Sequence, residues 1–151
     1  MRIAVGCDDA AVHLKAEIMD HIKECYPEIE MDDLGVYEGE STMYPDIAWR
    51  VAWAVADQKY DRGILMCGTG IGMSICANKV PGIRAAVCHD PFSAERARKS
   101  NNAQILCMGE RVVGVELAKC LVDIWIKSDF SGGNSEKKVK RICELEQQKS
   151  N

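Results

Sequence analysis

Gly63-Ile64-Leu65-Met66-Cys67-Gly68-Thr69-Gly70-Ile71-Gly72-Met73-Ser74 decides how this chain is read. Its first half is an apolar run of strand length, which predicts a buried strand ending at Cys67. Three alternating glycines follow, and then the helical run Ile75-Cys76-Ala77-Asn78-Lys79. A strand that breaks into glycines and restarts as a helix leaves backbone N–H groups without partners, a natural seat for negative charge. A cysteine at the same point lies in a positive local field that favours the thiolate. One turn therefore offers a base or nucleophile, a hydroxyl and a cradle for an anion.

Outward from this turn, strand and helix patterns alternate. Arg2 to Cys7 reads as the first strand, and Asp8-Asp9 gives a helix-capping signal for a helix reaching Cys25. Glu28 to Leu34 is a weaker strand, and Gly35 to Thr42 a polar loop. Tyr44-Pro45-Asp46 opens a second helix, with Ile47, Val51, Ala54 and Val55 on its inner face. After the glycine turn come a strand over Ile83–Cys88, a helix over Pro91–Lys99 and a strand over Ala103–Met108. A helix over Gly114–Lys127 and a charged helix over about 135–148 complete the chain. Continuous apolar strands alternating with helices predict an α/β fold whose parallel sheet is covered on both faces. Ligands in such sheets bind beyond the carboxyl ends of the strands, where Asp8, Cys67 and His89 fall.

The 151 residues suffice for one domain with a real core, so a single domain over 1–151 is expected. A net charge of −4 gives no electrostatic footprint for nucleic acid. The basic run Lys137-Lys138-Val139-Lys140-Arg141 reads either as a solvated helix face or as a phosphate contact. The eight cysteines contain no C-x-x-C pair and mostly lie in apolar runs, which predicts reduced thiols and a cytoplasmic location. The chain enters strand pattern directly after Met1, so no targeting segment is expected, and no run has the length of a membrane span.

Several motifs together resemble the type B ribose-5-phosphate isomerases, a family that also holds galactose-6-phosphate isomerase subunits. They are Val5-Gly6-Cys7-Asp8, Tyr44-Pro45-Asp46, Cys67 to Ser74, Asn78 to Ala85, Ser100-Asn101-Asn102-Ala103 and Gly109 to Gly114. The likeness runs from Met1 to about Ile142. It implies a Rossmann-like three-layer αβα sandwich with a five-stranded parallel sheet. It also implies a homodimer or homotetramer with sites at the subunit interface, and a final helix resting on a partner. The implied activity interconverts an aldose phosphate and a ketose phosphate through a cis-enediol, with neither metal nor cofactor. Ribose 5-phosphate is the default substrate.

Carried over residue by residue, the resemblance makes Cys67 the base for the carbon proton and Thr69 the hydroxyl at the substrate oxygens. Gly68, Gly70, Gly72 and Ser74 supply N–H groups to the enediolate. Asp8, Asp9, Tyr44 and Asn101 line the sugar, and Arg111, Asn134 and Lys138 hold the phosphate. The glutamate that some relatives use as base is replaced by Met73, which places the chain in the cysteine branch. Where the family opens the furanose ring with a histidine this chain has Ser100, and where relatives carry Arg-His it has Asn134-Ser135. His89 is a candidate substitute for the ring-opening group, or else a loop histidine partnered by Asp90. His13 and His21 read as helix-face residues. Ser100-Asn101-Asn102 and His89-Asp90 are similar to the tetrose-phosphate branch of the family. An aldose 4-phosphate with four carbons has O4 blocked and forms no furanose, so erythrose 4-phosphate is the alternative substrate. From other classes, an inactive subunit, a nucleotide-binding module and a thiol-transfer protein remain open. Met73 stands where a dinucleotide fingerprint needs its third glycine.

Overall fold

The computed structural model describes residues 1–148; residues 149–151 of the expected domain lie outside the described residues. The strands are β1 (Arg2–Cys7), β2 (Glu30–Asp33), β3 (Arg62–Cys67), β4 (Ala85–Val87) and β5 (Ile105–Gly109). The helices are α1 (Val12–Cys25), α2 (Tyr44–Ala56), α3 (Ile71–Ala77), α4 (Pro91–Lys99), α5 (Val115–Lys127) and α6 (Asn134–Gln148). A short 3-10 turn, Asp9–Ala11, precedes α1.

All five strands are parallel, in the order β2-β1-β3-β5-β4. Helices α2 and α3 pack together against one face, while α1, α4 and α5 cover the other. The fold is the expected three-layer, Rossmann-like sandwich. β3 and β5 are buried at every position, as their apolar runs require. β2 is a half-exposed edge whose acids face Arg2, at 3.5 Å from Glu30 and 3.7 Å from Asp32; charge on an edge discourages further pairing.

Local chemistry accounts for the element boundaries. Pro45 and Pro91 sit in the first turns of α2 and α4, where the missing N–H costs nothing. Asp90 caps α4 by accepting the Ser93 N–H at 2.8 Å. The inner face of α2 is Ile47, Ala48, Val51, Ala52 and Val55; Ala54, expected there, is only half buried because it lies one position off that stripe. At the far end of α5, buried Arg62 donates to the carbonyls of Trp125, Ile126 and Ser128 at 2.8–3.1 Å and pairs with Asp129 at 2.9 Å. It thereby satisfies helix-terminal acceptors that otherwise lack partners.

The chain leaves β1 for β2 on one side and returns to β3 on the other, so the order of strand addition reverses between β1 and β3. Such a switch point opens a crevice at the carboxyl edge. Its two lips are the residues after Cys7 and after Cys67. No helix of the described residues is long and apolar enough to cross a membrane.

Candidate active site

At the carboxyl edge the strand of β3 stops at Cys67, whose Sγ accepts the Gly70 N–H at 3.1 Å. This bond strengthens as negative charge builds on sulfur. Gly70 reaches it with φ of 76°, a left-handed conformation that glycine adopts without strain. Thr69 is exposed, and its Oγ1 accepts the Ile71 N–H at 3.3 Å. Among the described residues the N–H groups of Gly68, Thr69, Gly72 and Met73 have no protein partner. The turn is pressed on two sides. A Cβ at Gly72 would lie 2.6 Å from the Tyr44 ring, and one at Gly109 only 2.5 Å from the Thr69 backbone.

Asp8 stands across the crevice. It caps the 3-10 turn by accepting the Ala10 N–H at 3.0 Å, and burial raises its carboxyl above the usual range, opposed in part by the Arg111 charge. Arg111 lies against Gly68, its Cδ, Nε and Nη1 each 3.5 Å from where a Cβ would stand. His89 follows β4, and its Nε2 accepts the Gly109 N–H at 3.1 Å. The ring proton is then on Nδ1, and burial lowers the basicity of the imidazole. Among the described residues Asp90 makes no hydrogen bond to His89; its Oδ1 caps α4 instead. Asp9 is exposed and lines an adjoining cleft of about 480 Å³ with His13, Glu38 and Glu110.

Ser74 departs from its expected role. Its N–H bonds the Gly70 carbonyl at 3.0 Å and its hydroxyl the Ala85 carbonyl at 3.2 Å, so neither is free for an oxyanion. One helical turn separates it from Gly70, and the first turn of α3 closes on it.

The remaining candidates are at the opposite edge. Ser100 and Asn101 end α4, and the carbonyls of Asn101 and Asn102 accept from Arg84 Nε at 3.1 Å just before β4 begins. Ser131 bonds Lys99, which brings the start of α6, with Asn134 and Lys138, to the same end. Strands of five or six residues rise about 3.3 Å per residue, so about 16–20 Å separates this group from Cys67. One chain does not gather both groups. Arg111, expected to act with Lys138, belongs instead with Cys67 and Asp8 of its own chain.

The family profile Ribose/Galactose Isomerase matches residues 3–142. The chain belongs to that family. It is 53% identical over 147 residues to the ribose-5-P isomerase B of Listeria innocua, covering 97% of this chain and 98% of that protein. It is 50% identical over 150 residues to the D-erythrulose-4-phosphate isomerase of Pectobacterium atrosepticum, covering 98% and 97%. Among solved structures, ribose-5-phosphate isomerase B of Clostridium thermocellum superposes with a TM-score of 0.94 at 47% identity, covering 98% of this chain and 99% of that one.

Two contributors to this isomerase-family site were invisible to the motif reading. Glu110 accepts the Leu14 N–H at 3.1 Å and so ties the start of α1 to the loop carrying Arg111. Lys15 is buried, with Nζ 2.6 Å from Asp33 and 2.5 Å from the Val36 carbonyl, and it anchors the loop beyond β2. Its signal was positional, because Lys15 shares the buried stripe of Ala11, Ile18 and Ile22. The other buried thiols on and beside the strands are kept protonated. Burial pushes Cys7 and Cys88 up to about 11, and Cys107 higher still.

Proposed function

We propose that this family member isomerises aldose and ketose phosphates through a cis-enediol, with Cys67 shuttling the proton between adjacent carbons. The observation that carries the reading is the Cys67 turn: a sulfur held by one N–H and followed by four N–H groups free of protein partners. A thiolate there takes the C2 proton and returns it to C1. The free N–H groups of Gly68, Thr69, Gly72 and Met73 face the oxygen charge that develops between the two steps. Thr69 and Asp8 carry protons among the oxygens. Arg111 attracts the phosphate end of the substrate.

The site is completed by a second copy of the chain, most simply as a homodimer. Ser100, Asn101, Asn134 and Lys138 lie too far from Cys67 of their own chain, so they act on the neighbour's substrate. Trp49, Trp53, Ile71 and Ile75 leave an exposed apolar surface on α2 and α3, and α6 exposes Ile142 and Leu145. Apolar surface of this extent supports association.

Ribose 5-phosphate is the default substrate. Erythrose 4-phosphate is the second reading, favoured by Ser100, a residue with no titratable acid to open a furanose. The deciding experiment compares kcat/KM for the two sugars side by side, with Cys67→Ala as control. Cys67→Ala with near-wild-type turnover on either sugar would sink the mechanism. A preference for ribose 5-phosphate makes His89→Ala the next variant; a preference for the tetrose assigns Ser100 to a site that needs no ring opening.

A further inference from the structure

On the sheet face away from α2 and α3, helices α1 and α5 put a second constellation of reactive groups in line. Cys25, the last residue of α1, is exposed, and its Sγ lies 3.7 Å from His21 Nδ1. His21 Nε2 lies 2.7 Å from Asp123 Oδ1, and the Tyr26 hydroxyl donates to the same oxygen at 2.8 Å. A carboxylate only accepts, so Nε2 bears the proton and Nδ1 turns its lone pair to the thiol. Nucleophile, base and orienting carboxylate stand in sequence, the arrangement that activates a thiol. Lys127 adds a cation beside this cluster, its Nζ 5.6 Å from the Tyr26 ring centroid. The carboxyl end of α1 opposes a thiolate but favours an imidazolium at His21.

We propose that Cys25 is a modification site, a primed surface thiol that exchanges with low-molecular-weight disulfides. The Sγ proton passes to His21 Nδ1, and the imidazolium is held by Asp123. Sulfur then attacks one sulfur of the disulfide, forming a new S–S bond as the old one breaks. The second sulfur leaves with the electron pair as a thiolate and takes up a proton. Cys25 is oxidised to the mixed-disulfide level and half of the incoming disulfide is reduced to thiol, so no other oxidant enters. The adduct lies on α1, about 20 Å along a fourteen-residue helix from the Asp8 end, and leaves the Cys67 turn unobstructed.

The test treats the intact protein with excess 5,5′-dithiobis(2-nitrobenzoic acid) and follows each cysteine by timed quenching and peptide mass mapping. Cys120, exposed on α5 and without a hydrogen-bond partner among the described residues, is the internal standard. An ordinary thiol is only a few per cent thiolate near neutral pH, so activation makes Cys25 react about tenfold faster than Cys120. His21→Gln removes that advantage and leaves Cys120 unchanged, and Asp123→Asn reduces it. Labelling of Cys25 leaves isomerase activity intact, which separates it from labelling of Cys67. Equal rates for Cys25 and Cys120 in the wild type overturn the proposal. So does an undiminished Cys25 rate in both His21→Gln and Asp123→Asn.

Discussion

Gly109→Ala tests whether the Cys67 turn must be held where it is. Gly109 ends β5, and a Cβ built there falls 2.5 Å from Thr69 Cα and 2.7 Å from Thr69 C, both backbone atoms. Ordinary van der Waals contact begins at 3.4 Å, so the turn must retreat by about 0.9 Å. A flexible side chain could swing aside; the backbone of a turn fixed to β3 moves as a unit and carries Cys67 and the free N–H groups with it. Misplacing a catalytic constellation by about 1 Å costs about a hundredfold, or about 2.7 kcal/mol of transition-state stabilisation. Overpacking costs the fold a further 1–3 kcal/mol, roughly, a fall in Tm of about 2–12 °C for a chain of this size. The assay is ketose formation from ribose 5-phosphate and erythrose 4-phosphate, read alongside near-UV circular dichroism and Tm. Gly114→Ala is the control, since a Cβ there meets nothing within 4 Å, and it retains activity within about twofold. A folded Gly109→Ala enzyme with kcat/KM within threefold of wild type on its better substrate would refute the reasoning.

Complementation tests the proposed two-chain site directly. Cys67→Ala and Asn101→Ala homodimers are each inactive or nearly so, but unfolding and refolding them together in equal amounts restores about a quarter of wild-type activity, because half of the dimers then hold one intact site of two; no recovery would place both residues in one chain's site. Arg62→Met keeps the aliphatic stem but strands the carbonyls of Trp125, Ile126 and Ser128. It lowers stability by about 3 kcal/mol, measured as a fall in Tm of about 6–12 °C. His89 gives a pH dependence. Its basicity is lowered in the folded state by burial, so the unfolded chain binds the proton first. Its stabilising contribution is present above the unfolded value of 6.5 and is lost as pH falls through the folded value. Tm plotted against pH from 8 to 5 is therefore flatter for His89→Gln than for wild type, and identical slopes would remove His89 from the account.

The elements were legible wherever one physical signal dominated. Continuous apolar runs marked β3 and β5, and the helix over Pro91–Lys99 was bounded correctly because Asp90 and Pro91 each act locally. Lateral strand order was not legible, since β4 and β5 are both short apolar runs and nothing in either says that β5 lies between β3 and β4. The same blindness governed the site. Cys67, Thr69 and the glycines are contiguous, so the turn could be read whole. Ser74 was misjudged because consumption of its N–H depends on where α3 begins. Ser100 and Asn101 look adjacent to the chemistry in a list of motifs, yet α4 carries them from the carboxyl edge of the sheet to the amino edge. Direction along a parallel strand, rather than distance in sequence, decides which residues share a site.

That division bears on the substrate. On the proposed reading, the carbon chemistry falls to the Cys67 turn of one chain, whereas Ser100, Asn101, Asn134 and Lys138 reach that site from the far edge of another. The length of sugar accepted would then depend on how two copies dock as well as on Arg111 beside the Cys67 turn. If Ser100 occupies the place of a ring-opening imidazole, as the proposed function has it, its hydroxyl leaves the turn untouched but supplies no acid for a furanose oxygen. His89 is poorly suited to replace it from its own side, because its Nε2 is occupied by the Gly109 N–H and burial disfavours the protonated form. A pentose phosphate would then be used only as fast as its ring opens unaided, while a tetrose 4-phosphate arrives with no such ring to open. On that reading, a penalty for ribose 5-phosphate would fall on the supply of open-chain aldehyde and not on proton transfer at Cys67. Comparison of the two sugars therefore separates the half-site that performs the chemistry from the half-site that chooses the substrate.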